Sequence, residues 1–368
     1  MALLVVTAVL VSARAALPIW LRWYVNRTID QSPVYQGTIG KVDVQLWQGG
    51  YTIHDIQINK TTGTTPVPFF AAKQVHLVME WKALLSHRLV GRIVMDQPEL
   101  NFVDAADESS SQTGADAPWL QIIRDLFPFK INSAVVKDGA IHFRAFDRDP
   151  PVDVYLSKID GRIDNLTNIY KETAPLVTSV EARGLAMDQA KFEYKMKLDP
   201  FSNRPTFHMG VRLFGLDVQK INDLALAYGK FDFKSGYFDL VVELDSNEGV
   251  LEGYIKPLFR GLHIFDLREV VQADPLKTFW EALLEVTTQV LKNQERDQFG
   301  TLIPLTGSVN GGGTQADILT TIGNVLRNAF IRAYLPRFEG VNPDMREETG
   351  LEFGPAEPVS VEPSAEKP

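Results

Sequence analysis

Histidine is the residue type in this chain that could most readily bind a metal or transfer a proton. Its six copies lie at positions 54, 76, 87, 142, 208 and 263, and no two are spaced as metal ligands on one face of a helix. His76, His142 and His208 occupy the polar positions of alternating stretches, which predicts solvated side chains on strands. The histidines therefore do not predict a metal site.

The chain also lacks the local motifs of common nucleophilic and metal-dependent hydrolases. It contains no cysteine, no G-x-S-x-G sequence and no H-E-x-x-H sequence. Asp160 and Asp164 could meet in space, although turn and capping roles are more common for such carboxylates. Only a spatial cluster of Asp, His and Ser that the sequence does not reveal would indicate a hydrolase. We therefore expect a non-enzymatic protein without a cofactor.

The strongest pattern in the chain is the alternation of apolar and polar residues. Residues 75–81, 192–198, 207–213 and 238–244 alternate with a period of two, which is typical of a strand with one apolar and one polar face. Many such strands side by side would form a sheet with a large apolar face. The candidate binding residues are the apolar positions of these stretches: Val75, Leu77, Met79, Trp81, Phe192, Tyr194, Met196, Leu198, Phe207, Met209, Val211, Leu213, Phe238, Leu240, Val242 and Leu244.

The apolar N-terminus predicts where the protein resides. As a helix, its first 21 residues would be about 30 Å long, enough to cross the core of a bilayer. Trp20, Trp23 and Tyr24 lie where aromatic side chains meet the membrane interface. We therefore expect residues 1–25 to form a membrane anchor. A cleaved signal peptide and a buried core helix are the alternatives.

Composition and charge narrow the classes of partner. The net charge is −9, and residues 341–368 hold seven acidic and two basic residues, so −5 of it lies in this tail. The remaining −4 leaves the body nearly neutral, which excludes a general basic surface for nucleic acid. The tail is rich in Pro and Glu and is predicted to be disordered.

Turn residues divide the rest of the chain into regions. We predict an N-terminal β region at residues 26–103, a solvated linker at residues 104–118, the main sheet at residues 119–270 and two amphipathic helices within residues 271–340. Strand-like runs follow one another without long helices between them, which favours antiparallel meanders. Turn-like residues separate the predicted strands 92–96 and 100–103, 131–136 and 140–146, 152–159 and 162–166, and 229–233 and 237–244.

The predicted fold class is mainly β, and its helices are too few to cover the sheet. About fourteen strands at roughly 4.8 Å spacing would make a sheet about 65 Å long. Two helices of about 15 to 18 residues would each be about 25 Å long. The remaining apolar face must therefore fold onto itself as an ordinary core, meet a partner or hold an apolar ligand.

Several short motifs resemble those of a known family. The motifs are LPIWLRWYVN at 17–26, GKVDVQLWQGGY at 40–51, IQI at 56–58, KDGAIHF at 137–143, DNLTN at 164–168, GKFD at 229–232 and IPLTG at 303–307. With these motifs the chain looks like the AsmA-like envelope proteins of Gram-negative bacteria, in particular a branch catalogued as a domain of unknown function. The similarity extends from residue 17 to residue 337.

This resemblance implies an inner-membrane anchor, a periplasmic body and a curled sheet, or β-taco, whose apolar groove holds phospholipid acyl chains. It also implies a relation to bridge-like lipid-transfer proteins and brings no catalytic residue. The larger relatives are several times longer, so we do not expect this chain to bridge the two membranes by itself. The remaining options are shuttling of lipid, a partial channel completed by partners and a role without transport. We expect lipid transport or support of outer-membrane homeostasis. The alternative is a periplasmic assembly or scaffold protein for outer-membrane proteins.

Overall fold

A computed structural model describes the sheet that forms the body of the protein. The predicted anchor (apart from isolated residues), the two C-terminal helices and the acidic tail lie outside the residues that it describes. The described residues are 16, 18–20, 22–23, 26–27, 34–45, 50–79, 90–112, 130–165, 178–199, 204–229, 231–265, 298–300 and 302–308.

The described part of the chain is mainly β, as predicted. Apolar and polar residues alternate along most of its strands, so each strand can bury one face and expose the other. The strands are β1 (Tyr35–Thr38), β2 (Val42–Gln45), β3 (Gly50–Lys60), β4 (Phe70–Met79), β5 (Val90–Val103), β6 (Lys130–Ala145), β7 (Val152–Asp164), β8 (Thr178–Ala186), β9 (Ala190–Leu198), β10 (Phe207–Asp217), β11 (Asp232–Asn247), β12 (Val250–Phe265), β13 (Gln298–Gly300) and β14 (Ile303–Ser308).

All fourteen strands belong to one open sheet. β3 to β12 lie side by side in chain order, and each neighbouring pair is antiparallel except β5 and β6, which are parallel. The prediction of an antiparallel sheet is wrong at this pair, because β6 begins at Lys130 opposite Val90, the first residue of β5, and runs in the same direction. The predicted N-terminal β region and the predicted main sheet thus form one sheet.

Each edge of the sheet is made of two short strands placed end to end. β1 and β2 pair with opposite halves of β3, and β13 and β14 pair with opposite halves of β12. The sheet is therefore twelve strand positions wide, about 53 Å at 4.8 Å spacing. This width is smaller than predicted because four of the strands share two positions. β13 and β14 also place strands inside the region predicted to be helical.

Residues in left-handed backbone conformation interrupt seven of the strands. The pairing register shifts near them in β6, β7, β10 and β11, and such irregularities bend a strand and increase its twist. β5, β6, β7 and β11 are single long strands rather than the predicted pairs, because the turn-like residues between the pairs do not reverse the chain. The interrupted positions are Asp55, Gln97, Asp138, Lys158, Gly215, Gly236 and Gly261.

A short helical connection between β10 and β11 lies across one end of the sheet. This cap segment, residues 218–229, joins a 3₁₀ turn, a single α turn and a π turn. One hydrophobic cluster contains residues of the cap segment together with Val152 of β7 and Phe233 of β11. β7 and β11 are four strand spacings apart, about 19 Å on a flat sheet. The sheet therefore curls around the cap segment, which replaces the start of the predicted strand 229–233.

Candidate functional site

Two continuous rows of apolar residues and glycines cross one face of the sheet from edge to edge. Cross-strand pairing defines both rows, and this face is named the interior face. Row A contains Val42, Ile53, Val75, Met95, Val136, Gly161, Ala182, Tyr194, Val211, Val242, Ile255 and Ile303. Row B contains Val44, Tyr51, Leu77, Ile93, Ala134, Ile163, Val180, Met196, Met209, Leu244, Gly253 and Leu305. Cross-strand apolar pairs of this kind stabilise a sheet.

The structure brings the sequence-predicted residues of three strands together on the interior face. β9, β10 and β11 are adjacent, so Phe192, Leu213 and Leu240 lie side by side. Tyr194, Val211 and Val242 form the next line, followed by Met196, Met209 and Leu244, while Leu198 lies opposite Phe207 and Phe238 opposite Leu216. Val75 and Leu77 occupy the same two rows on β4, whereas Trp81 and the side chain of Met79 lie outside the described part of the chain.

Each row has a continuous half-buried section in its middle, which is bounded on both sides by buried residues. In row A, the buried residues that bound the middle section are Val75 and Val242. In row B, they are Ala134 and Leu244. Between them, all residues are half-buried. This half-buried section consists of Met95, Val136, Gly161, Ala182, Tyr194 and Val211 in row A, and Ile163, Val180, Met196 and Met209 in row B.

Small residues line the centre of the half-buried section. Gly161 and Ala182 are neighbours in row A, and a Cβ atom added to Gly161 would lie 3.4 Å from that of Ala182, an ordinary contact. Val136 and Tyr194 flank them three strand spacings apart, about 14 Å. Because these side chains are short and the next side chains in the row are larger, we infer a shallow depression between Val136 and Tyr194, of a width that suits a narrow apolar ligand.

Tyr194 provides a phenol hydroxyl at one side of this depression. Its Oη atom donates a hydrogen bond to the Sδ atom of Met196 at 3.0 Å. A tyrosine phenol is protonated at neutral pH, and burial raises the pKa of Tyr194 further above its ordinary value. The site thus combines an apolar surface with one hydrogen-bond donor.

The opposite, outer face of the sheet is polar, and its described residues include four histidine–aspartate pairs. His54 pairs with Asp43 at 2.8 Å. His76, His142 and His208 lie on strands at polar positions, as predicted, and each also pairs with an aspartate of a neighbouring strand, which the sequence did not predict. Cross-strand pairs of this kind hold neighbouring strands together on a solvated face.

One part of the outer face brings Ser, His, Tyr and Asp together. Asp188 accepts hydrogen bonds from Ser157 at 2.5 Å and Tyr155 at 2.8 Å. The Ser157 hydrogen bond is the main reason that the pKa of Asp188 is lowered, and the hydrogen bond to Asp188 raises the pKa of Tyr155. His142 stacks on Tyr155 with its ring centroid 5.1 Å away and pairs with Asp153. Among the described residues, no hydrogen bond joins Ser157 to a histidine, so this cluster is not arranged as a nucleophile with its base.

The cap segment is the element near the site that the sequence reasoning missed. Its signal was present: Asp217 accepts a hydrogen bond from the backbone N–H of Gln219 as an N-cap, and Val218, Ile221 and Tyr228 follow at helical spacing. The predicted linker is also more ordered than expected where it is described. Gln112 is buried, and its Nε2 atom donates to the backbone carbonyl of Asn101 at 2.8 Å.

Isolated residues of the predicted membrane interface are described, and they are helical. Trp20 and Trp23 are 52% and 53% exposed, and the Arg27 guanidinium lies 5.1 Å from the centre of the Trp23 ring. Tyr24 lies outside the described residues. Within the described ranges, no helix combines the length and apolarity needed to cross a bilayer.

Comparison with known proteins adds no identity. No protein-family model matches this chain, and no curated protein has a significantly similar sequence. The resemblance to AsmA-like envelope proteins therefore rests on the short sequence motifs alone. Residues 137–143 contain one of these motifs and include Asp138, an interrupted position of β6.

Proposed function

We propose that this protein is a membrane-anchored, AsmA-like periplasmic protein that holds lipid acyl chains against the half-buried section and supports phospholipid transport or outer-membrane homeostasis. The observation that carries the proposal is the incomplete burial of two otherwise continuous apolar rows. A sheet face of this kind lowers its free energy by binding an apolar molecule. Binding and release require no covalent chemistry.

The energetics of acyl chains fit exchange between this face and a membrane. Removing one methylene group from water is worth about 0.8 kcal/mol. A lipid that moves from a bilayer to the half-buried section leaves one apolar environment for another, so the net change is far smaller than the gross burial. The protein would therefore lower the cost of crossing water without trapping its ligand.

Two features of the N-terminus support a membrane location. The apolar first 21 residues could form an anchor. Exposed Trp20 and Trp23, with arginines at positions 22 and 27, suit the interfacial region of a bilayer. An anchor would keep the half-buried section close to its source of lipid.

Photo-crosslinking in membranes tests the proposal with the full-length chain. The protein is reconstituted in vesicles of phosphatidylethanolamine and phosphatidylglycerol that contain a phospholipid with a diazirine on its acyl chain. We expect crosslinks to interior-face residues of β8, β9 and β10, in addition to those in the N-terminal segment. Crosslinks restricted to the N-terminal segment would overturn the proposal.

Adjacent residues of β8 provide a matched pair of variants. Ala182→Trp fills the depression on the interior face, whereas Arg183→Trp places the same side chain on the outer face. We expect the first variant to lose most crosslinks in β8–β10 and the second to retain them. The scaffold alternative predicts that neither wild type nor variant crosslinks lipid on the interior face.

A further inference from the structure

The Tyr194 hydroxyl differs from two other hydroxyl groups on the interior face, those of Thr178 and Ser246, in the atom that accepts its hydrogen bond. Thr178 donates to the backbone carbonyl of Asn165 at 3.0 Å, and Ser246 donates to that of Pro205 at 2.7 Å. Tyr194 donates to the thioether of Met196, and no other partner for its hydroxyl is found among the described residues. A thioether sulfur is a weak acceptor compared with a carbonyl oxygen. The phenol is thus the interior hydroxyl with the weakest acceptor of the three.

Buried polar groups are normally paired with strong partners, and a ligand can supply a partner that the fold does not. Tyr194 lies in row A beside Ala182, at one side of the depression of small residues, so a ligand in the depression would lie next to its side chain. The Met196 side chain is flexible and can move away from the hydroxyl. A carbonyl oxygen in the depression could then replace the sulfur as the acceptor.

We propose that Tyr194 recognises the carbonyl group of an acyl lipid by donating a hydrogen bond to it, so that the site selects fatty-acyl esters over plain hydrocarbons. This inference rests on the proposed function, because it assumes that a lipid occupies the half-buried section. It goes further in naming the chemical group that is recognised and the residue that recognises it. The apolar rows bind the chain, and Tyr194 fixes the position of the carbonyl along them.

The selectivity is expected to be modest. Replacing a thioether acceptor with a carbonyl acceptor should change the free energy of binding by about as much as one neutral hydrogen bond. This corresponds to about a fivefold change in affinity. Loss of the hydroxyl should reduce ester binding by this factor and leave hydrocarbon binding unchanged. A difference between two ligand classes separates recognition of the carbonyl from a general effect on the fold.

Two photoreactive probes in the same vesicles make the test. One is a methyl ester of a diazirine-bearing fatty acid, and the other is a diazirine-bearing alkane of equal length. For Tyr194→Phe we expect crosslinking of the ester to β8–β10 to fall about fivefold, with no change for the alkane. Tyr237→Phe, which removes an exposed hydroxyl, is the matched control and should change neither probe.

The outcomes distinguish the two proposals. If wild type crosslinks both probes and Tyr194→Phe affects them equally or not at all, carbonyl recognition is overturned while lipid binding stands. If neither probe reaches the interior face of wild type, both proposals are overturned. A thermal melt of Tyr194→Phe that matches wild type confirms that the comparison is made between folded proteins.

Discussion

The hydroxyl of Tyr228 in the cap segment donates a hydrogen bond to the carboxylate of Asp104, which lies 124 residues earlier just after β5. Arg148 donates to the same carboxylate oxygen at 3.1 Å, and its guanidinium carbon lies 4.7 Å from the centre of the Tyr228 ring. These three side chains connect the cap segment to the turn after β6 and to the end of β5. The cap segment is therefore held to the sheet by polar contacts as well as by its hydrophobic cluster.

We expect Tyr228→Phe to destabilise the protein by about 1.5 kcal/mol, because it removes a hydrogen bond to a charged group while keeping the packing of the ring. Urea unfolding monitored by circular dichroism measures this change. Tyr237→Phe, in which the lost hydroxyl is exposed, serves as the control and should cost less than about 0.5 kcal/mol. Equal effects of the two substitutions would show that the Asp104 contact does not stabilise the cap segment.

The two faces of β11 should respond differently to truncation. Leu244 is 0% exposed in row B, so Leu244→Ala should cost about 2 to 5 kcal/mol through lost burial and the cavity that remains. Val241 lies on the outer face opposite Arg212 and Lys256, and Val241→Ala should cost less than about 1 kcal/mol. Denaturant unfolding of both variants tests the assignment of faces, which would be wrong if the order were reversed.

Two glycines in the strands on either side of β11 should tolerate alanine to different degrees. Gly215 has a φ of +76°, and no heavy atom lies within 4 Å of an added Cβ, so only the backbone conformation opposes Gly215→Ala, at about 1 kcal/mol. At Gly253, an added Cβ would overlap the carbonyl oxygen of Glu243, and β12 would have to move away from β11. Gly253→Ala should therefore lower the melting temperature more than Gly215→Ala. Calorimetry measures both melting temperatures, and the opposite order would contradict this expectation.

The Asp188 cluster predicts a pH dependence of stability. Hydrogen bonds from Ser157 and then Tyr155 lower the pKa of Asp188 below the ordinary aspartate value of 3.8. The unfolded chain therefore takes up this proton first as the pH falls. The stabilisation is complete above pH 3.8 and is lost as the pH falls through the lower pKa of the folded state.

Melting temperatures of wild type and Asp188→Asn should thus differ most near pH 7, and the difference should shrink below pH 4. Ser157→Ala should reproduce part of the effect with the same dependence, because it removes the first of the two hydrogen bonds. If the melting temperature of Asp188→Asn differed from that of wild type by the same amount at every pH, this would contradict a stabilising role of the ionised Asp188 carboxylate.

The sequence was sufficient to predict the alternation of apolar and polar residues, but not to predict where each strand begins and ends. Phe192, Tyr194 and Met196 share one face because neighbouring side chains of a strand point to opposite sides. Asp138–Gly139 and Asp160–Gly161 resemble turns, yet they lie within β6 and β7, whose pairing with the neighbouring strands continues on both sides of them. Such interruptions and true reversals use the same residue types, so local composition does not separate them.

By itself, the sequence determined that the protein is mainly β and which residues of each strand share an apolar face, since both follow from local periodicity. The tertiary structure decided that Leu77 and Met209 belong to one row, because their alignment depends on the register of six intervening strand pairs. It also decided which part of the rows is only half-buried. Burial depends on contacts between residues distant in the chain, such as Tyr228 with Asp104, and no local pattern specifies those contacts.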